Sequence, residues 1–208
     1  MPIIDRMVRA VRRHGLHGVI VLALQRSRDF FAGEHRLRTP ARLFLERIVI
    51  RHYMERPEVA KVLFVGCERY TAHYSKWFRQ KEYWTIEPDP LKRRYGAKHH
   101  VVDVLQNLDA HFEPKTFDLI ICNGVFGFGL NDRADCEKAF EHCFTRLVGG
   151  GEFMLSWCDV PQYCPFPPES LRSLSGFEPM EFGPIGTSGY ECEGAVGRNI
   201  FKFYRKPV

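Results

Sequence analysis

From Lys61 onward the apolar positions change period repeatedly. Short apolar runs, "KVLFV", "EYWTIE", "HHVVDV", "FDLIICN" and "GEFMLSW", alternate with the helix-like stretches "YTAHYSKWFRQ", "PLKRRYGA" and "RADCEKAFEHCFTRLV". Strands that alternate with helices predict right-handed βαβ crossovers and a mostly parallel sheet. After Trp157 comes a proline- and cysteine-containing loop, "CDVPQYCPFPP", and a predicted short helix, "ESLRSLSG". The chain then runs through "FEPMEF" and "RNIFKFYRK", joined by the glycine-rich "GPIGTSGYECEGAVG". These two alternating segments predict an antiparallel closing pair. Upstream, "PARLFLERIVIRHYMER" predicts a helix from Pro40 to Arg56, with Thr39 as its cap, Pro40 at its first position and Pro57 closing it. In "IIDRMVRAVRRHG", Ile4, Met7, Val8 and Val11 fall at helical spacing, and Arg6, Arg9, Arg12 and Arg13 lie largely off that stripe.

The size, 208 residues with 45% hydrophobic content, suits one sizeable core with an appendage. The expected division is a basic helical extension over 1–58, acting as a lid, and an α/β domain over 59–208. No apolar run reaches the roughly 18 residues of a membrane span. Asp5 and the lack of a small-residue cleavage site after "LALQRSRDFF" argue against a signal peptide. None of the seven cysteines forms a C-x-x-C pair, so neither a disulfide framework nor a metal site is expected, and a reducing cytoplasm is. The pair in "CDVPQYC", Cys158 and Cys164, is the one place for redox or metal chemistry to be checked.

Charge divides the chain. Residues 1–60 carry twelve Arg, no Lys and six acids, and the rest of the chain is close to neutral with 18 basic and 19 acidic residues. A cationic helix of this kind can dock on its own domain, lie on an anionic membrane surface or face a phosphate-bearing partner. No aromatic residue is interleaved with its arginines, which counts against nucleic acid.

In an open α/β sheet, ligands bind beyond the carboxyl ends of the strands. Four features follow four predicted strands. The first is the turn "GCERYT", where Gly66 permits close backbone approach and Cys67 and Glu68 follow. The second is Glu87 in "TIEPDP", 21 positions after Gly66, near the roughly 20-residue offset at which an acid meets a ribose diol in dinucleotide folds. Asp103 with Val104 in "VVDVLQNL" and Asn123 in "FDLIICNGVFGFG" complete the set.

This order of motifs resembles the class I S-adenosylmethionine-dependent methyltransferases, over roughly Val59 to Lys206. "VLFVG" is similar to the family's motif I, "TIEPDP" to its ribose-binding acid, "VVDV" to its adenine-contacting acid, and "AFEHCFTRLVGGGEFMLSW" to its helix, glycine turn and fifth strand. The resemblance implies a Rossmann-like three-layer sandwich with a seven-stranded, mostly parallel sheet and an antiparallel C-terminal strand pair. It implies S-adenosylmethionine as cofactor, with Glu87 on the ribose, Asp103 and Val104 at the adenine, and Gly66 and Cys67 beside the methionine portion. Two departures stand out: Phe64 occupies the position of the family's first acid, and the second and third glycines of motif I are absent. Either Glu68 replaces the missing acid and contacts the methionine ammonium, or the site has decayed and the fold serves as an adaptor at a membrane surface or on a partner protein.

Methyl transfer to a small-molecule or glycan acceptor, acidic or phosphate-bearing, is the expected activity. Asn123, which is also expected to touch the cofactor, stands with Phe126 where amino-group methyltransferases carry an N-P-P-Y motif, but without its prolines. Asp159, after the fifth strand, is the expected general base, with His52 and Tyr53 as others to weigh and His142 read as a helix-face residue.

Overall fold

The computed structural model describes residues 37–208. Both the basic helix expected over residues 4–13 and its membrane or phosphate contacts lie outside the described residues. Among those residues, no helix is long and apolar enough to cross a membrane.

Eight strands form one sheet in the order β3-β2-β1-β4-β5-β8-β6, with β7 also paired to β8. They are β1 (Lys61–Val65), β2 (Glu82–Ile86), β3 (His99–Val101), β4 (Phe117–Asn123), β5 (Leu147–Cys158), β6 (Glu178–Pro179), β7 (Gly189–Glu193) and β8 (Arg198–Arg205). Strands β1 to β5 pair in parallel, and β8 returns antiparallel along β5 from Glu152↔Arg205 to Cys158↔Asn199. The sheet has one strand more than expected. β8 finds its longer hairpin partner in β7, inside the glycine-rich segment read as a connection, while "FEPMEF" supplies only the two-residue β6. Backbone pairing with β8 outweighed composition at this position.

The central strands are apolar on both faces, as a parallel sheet covered on both sides requires. Period-two alternation sends Leu63, Val65, Ile120, Cys122, Phe153 and Leu155 to one face. Val62, Phe64, Leu119, Ile121 and Met154 go to the other. The first face is covered by α4 (Arg133–Arg146), which buries Cys136, Ala139, Phe140 and Cys143. The second is covered by one continuous helical run: α1 (Pro40–Phe44), a π-helical segment (Leu45–Ile50) and α2 (Arg51–Glu55). Thr39 caps this run as expected, its Oγ1 accepting from the Arg42 N–H at 3.2 Å, and Pro40 opens it.

That helical run is a layer of the core. Leu45, Val49, Ile50 and Tyr53 are fully buried, and Leu37–Val208 form one compact unit. The run is also pinned by charge. Glu152, on β5, is buried and accepts from Tyr53 Oη at 2.8 Å and Arg56 Nη1 at 2.8 Å, with Arg205 Nη2 at 3.5 Å. Replacing Tyr53 with Phe removes one donor from a buried carboxylate, and the expected loss of stability is about 1–3 kcal/mol. Denaturant unfolding of the variant checks this, and an unchanged midpoint would show that Glu152 does not depend on Tyr53.

Candidate active site

At the carboxyl end of β1, Gly66 adopts φ +84°, a conformation other residues reach only with strain. Its N–H donates to Ile86 O at 2.8 Å, and the next N–H, of Cys67, donates to Glu87 Oε2 at 2.9 Å. Cys67 is buried, and burial pushes its thiol up to about 12, so it stays protonated at neutral pH. Phe64, where the family's acid was expected, packs edge-on to Tyr74 with 5.3 Å between ring centroids. Phe64 also lines the strand-end cleft, so an apolar ring stands there in place of a carboxylate.

Beyond Cys67 the chain does not enter the helix predicted over "YTAHYSKWFRQ". It makes a 3-10 turn (Arg69–Thr71) and the four-residue α3 (Tyr74–Trp77). The reason lies in tertiary packing. Tyr74 Oη donates to Glu46 Oε1 at 2.9 Å and accepts from Arg42 Nη1 at 2.9 Å, which draws this segment onto the helical run 40–55. Glu68 sits at the start of the 3-10 turn, with its N–H on Thr71 Oγ1 at 3.0 Å. Its carboxylate binds Lys92 Nζ at 2.6 Å.

Glu87 closes β2. Only 7% of the residue is exposed, and its Oε1 accepts from the Asp89 N–H at 3.1 Å. Asp103, after β3, accepts from the Val104 N–H at 2.8 Å, Asn107 Nδ2 at 3.0 Å and the His111 ring at 2.7 Å. The His111 hydrogen bond, with the Val104 N–H, holds its carboxyl below the usual aspartate value. Asn123 ends β4, and its Oδ1 accepts from the buried Ser156 Oγ at 2.7 Å.

These strand ends meet at one cleft of about 470 Å³, within the usual size for small-ligand sites. Gly66, Cys67, Glu68, Glu87, Asp103, Val104 and Asn123, the whole expected cofactor set, line it. Asp159 does not. Its carboxylate ion-pairs with Arg198, and its N–H donates to Arg198 O at 2.7 Å, so it ties the end of β5 to β8. His52 and Tyr53 are also absent from the lining; Tyr53 bonds Glu152, and the His52 ring packs edge-on to Phe182. His142 lies 3.2 Å from Asp109, as befits a helix-face residue. Cys158 and Cys164 are free thiols raised by burial.

Several lining residues were not expected at the site. Lys92 follows β2 in "EPDPLK", and a reading of the whole loop after that strand would have found it. Thr39 and Arg42, at the start of the helical run, and Ala195 and Val196, in the β7–β8 turn, reach the cleft only through long-range packing. Phe128 lines the mouth, half exposed and stacked on Tyr163 with 4.5 Å between centroids. Gly127 makes that approach feasible: at φ +85°, an added Cβ would lie 1.8 Å from Tyr163 O.

No protein-family model matches the chain, and no curated protein does. Solved structures do. N-methyltransferase NodS from Bradyrhizobium japonicum WM9, solved with S-adenosyl-L-homocysteine, aligns over 79% of this chain and 88% of its own at 16% identity, with a TM-score of 0.57. A TehB-like SAM-dependent methyltransferase from Corynebacterium glutamicum aligns over 88% and 96% at 20% identity, TM-score 0.56. A SAM-dependent methyltransferase from Archaeoglobus fulgidus aligns over 80% and 92% at 12% identity, TM-score 0.56.

The chain has the class I methyltransferase fold.

Within that fold, the cleft at the carboxyl ends of β1, β2, β3 and β4 is the candidate active site, and Asp103 gives it an acid-sensitive corner. A depressed carboxyl contributes stability above its unfolded value and loses it as pH falls through the folded value. The contribution of Asp103 is therefore expected to be complete above the ordinary value of 3.8 and to disappear below it. Unfolding midpoints measured from about pH 5 to about pH 2 should show a shallower acid decline below the ordinary aspartate value in Asp103→Asn than in the wild type. Identical profiles would mean that the Asp103–His111 contact contributes nothing.

Proposed function

We propose that this chain is a methyltransferase that binds S-adenosylmethionine in the strand-end cleft and methylates a small-molecule or glycan acceptor. The observation that carries the cofactor reading is the Glu87 carboxylate, held buried at the cleft wall with lone pairs to spare. A carboxylate offers about four acceptor positions. The Cys67 and Asp89 N–H groups take one on each oxygen, leaving one on each for the two hydroxyls of a ribose. Gly66 removes side-chain bulk beside this point, and Val104, Leu105 and Gln106 provide the wall beyond β3, where the adenine would lie.

When bound, S-adenosylmethionine supplies an electrophilic sulfonium methyl group. The work left to the chain is alignment and exclusion of water, effects that together supply a large part of the rate in such displacements. Asn123 suits a positioning role: Ser156 fixes its Oδ1, and no described residue accepts from its Nδ2. The stacked pair of Phe128 and Tyr163 at the mouth offers a flat apolar face suited to a planar ring or to the carbon face of a sugar. Among the described residues, Cys158, Asn199 and Val196, which line the cleft together with Asn123, bring no carboxylate or imidazole to it. This favours an acceptor that presents its own lone pair, with no proton to be taken by Asp159. An acidic or phosphate-bearing acceptor remains a proposal motivated by the arginine-rich first 60 residues.

Calorimetric titration with S-adenosylhomocysteine tests the reading. Micromolar affinity is expected, equivalent to about −8 kcal/mol. Glu87→Ala should weaken it about 100-fold or more, since each hydrogen bond to a charged acceptor contributes about 1.5–3 kcal/mol. A 2′,3′-dideoxy analogue should show a similar loss on unaltered protein. Equal affinity for the analogue would remove Glu87 from the ribose.

A further inference from the structure

Lys92 stands between two carboxylates of unequal burial. Its Nζ is 2.6 Å from Glu68 Oε1 and 3.9 Å from Glu87 Oε1. Among the described residues it is the one cation within ion-pair distance of Glu87. The Glu87 side chain is 9% exposed and the Glu68 side chain 40%. Coulomb attraction strengthens as the surrounding dielectric falls, so the pull of the buried Glu87 on an ammonium exceeds that of the exposed Glu68 at equal distance. Lys92 nevertheless sits on Glu68.

The backbones on either side explain how this position is held. Glu68 begins a 3-10 turn closed by three hydrogen bonds with Thr71: its carbonyl accepts from the Thr71 N–H at 2.8 Å and from the Thr71 hydroxyl at 2.9 Å, and its N–H donates to Thr71 Oγ1 at 3.0 Å. Lys92 lies in the 3-10 helix Pro90–Tyr95, capped by Asp89 Oδ1 accepting from the Leu91 N–H at 2.9 Å. The two anchors are fixed by local hydrogen bonds, whereas the lysine stem is flexible and its charge is mobile. The hydrogen bond to Glu68 also raises the affinity of Lys92 for its proton.

We propose that Glu68 is a positioning residue: it holds the Lys92 ammonium off Glu87 and so keeps the Glu87 carboxylate open to a vicinal diol. The role rests on the cofactor reading above. Without Glu68, Lys92 moves the short remaining distance onto Glu87 Oε1 and occupies the acceptor position that one ribose hydroxyl needs. Glu68 thus acts on ligand affinity through Lys92 and not by touching the ligand, in contrast to the direct methionine contact that its place in "GCERYT" suggests.

A double-mutant cycle on S-adenosylhomocysteine binding separates these roles. Glu68→Gln should weaken binding about tenfold or more. Lys92→Met should bind as tightly as the wild type or more tightly, and the double variant should match Lys92→Met. A double variant as weak as Glu68→Gln would show that Glu68 contacts the ligand directly and would overturn the proposal, as would full affinity in Glu68→Gln. Absence of binding by the folded wild type would instead overturn the cofactor reading, and this role with it. A crystal structure of ligand-free Glu68→Gln gives a readout that needs no cofactor. Lys92 Nζ is expected within about 3.2 Å of Glu87 Oε1, and a Lys92 turned to solvent would overturn the proposal.

Discussion

Two consecutive N–H groups at the end of β1 organise this molecule. Gly66 donates to the backbone of β2 at Ile86, and Cys67 donates to the side chain of Glu87, the next residue along. The first bond continues the parallel ladder. The second departs from it and turns a strand end into a carboxylate cradle. With β4 paired on the other side of β1, from Val62↔Leu119 to Val65↔Cys122, Gly66, Glu87 and Asn123 are held at one level. Asp103 joins them through the β2–β3 pairing that ends at Ile86↔Val101. The cleft is a consequence of register, since a one-residue slip in any of these pairings would turn its residues to the wrong face.

Register in turn depends on both faces of the sheet being covered. The described residues build two apolar layers of comparable extent, one under α4 and one under the helical run that begins at Pro40. The second layer contains a buried carboxylate, Glu152, reached by Tyr53, Arg56 and Arg205. A buried charge costs free energy unless its partners are well placed, so this group penalises any packing of the helical run that shifts Tyr53 away from β5. The same run delivers Thr39 and Arg42 to the cleft from its first turn. Core and site are therefore coupled through one element.

Most of the architecture was legible because strand ends obey local rules. Alternating apolar runs gave the parallel strands, and the acids and the amide placed just after them could only fall on one edge of such a sheet. Glu87, Asp103 and Asn123 needed no further information. Three features depended on contacts distant in sequence. Residues 69–77 carry the pattern of a helix, but Tyr74 is taken up by Arg42 and Glu46, and the helix is cut short. Asp159 follows the fifth strand as a base should, yet Arg198, 39 positions later, claims its carboxylate. The strand β7 hides in a segment whose glycines suggest a loop, and only the presence of β8 makes it a strand. In each case a partner that sequence spacing cannot reveal decides the outcome.

The degenerate glycine turn also finds its explanation here. Phe64 stands where an acid was expected, and its ring joins the apolar layer shared with Tyr74 while lining the cleft. The charges of the turn lie instead in Glu68, Lys92 and Glu87, grouped around one corner of the cleft. A crystal structure of the wild-type protein with S-adenosylhomocysteine tests the role of Glu87 most directly. Both ribose hydroxyls are expected within about 3.0 Å of the Glu87 carboxylate, with Lys92 still paired to Glu68. A nucleoside bound elsewhere in the cleft, with Glu87 untouched or covered by Lys92, would contradict it.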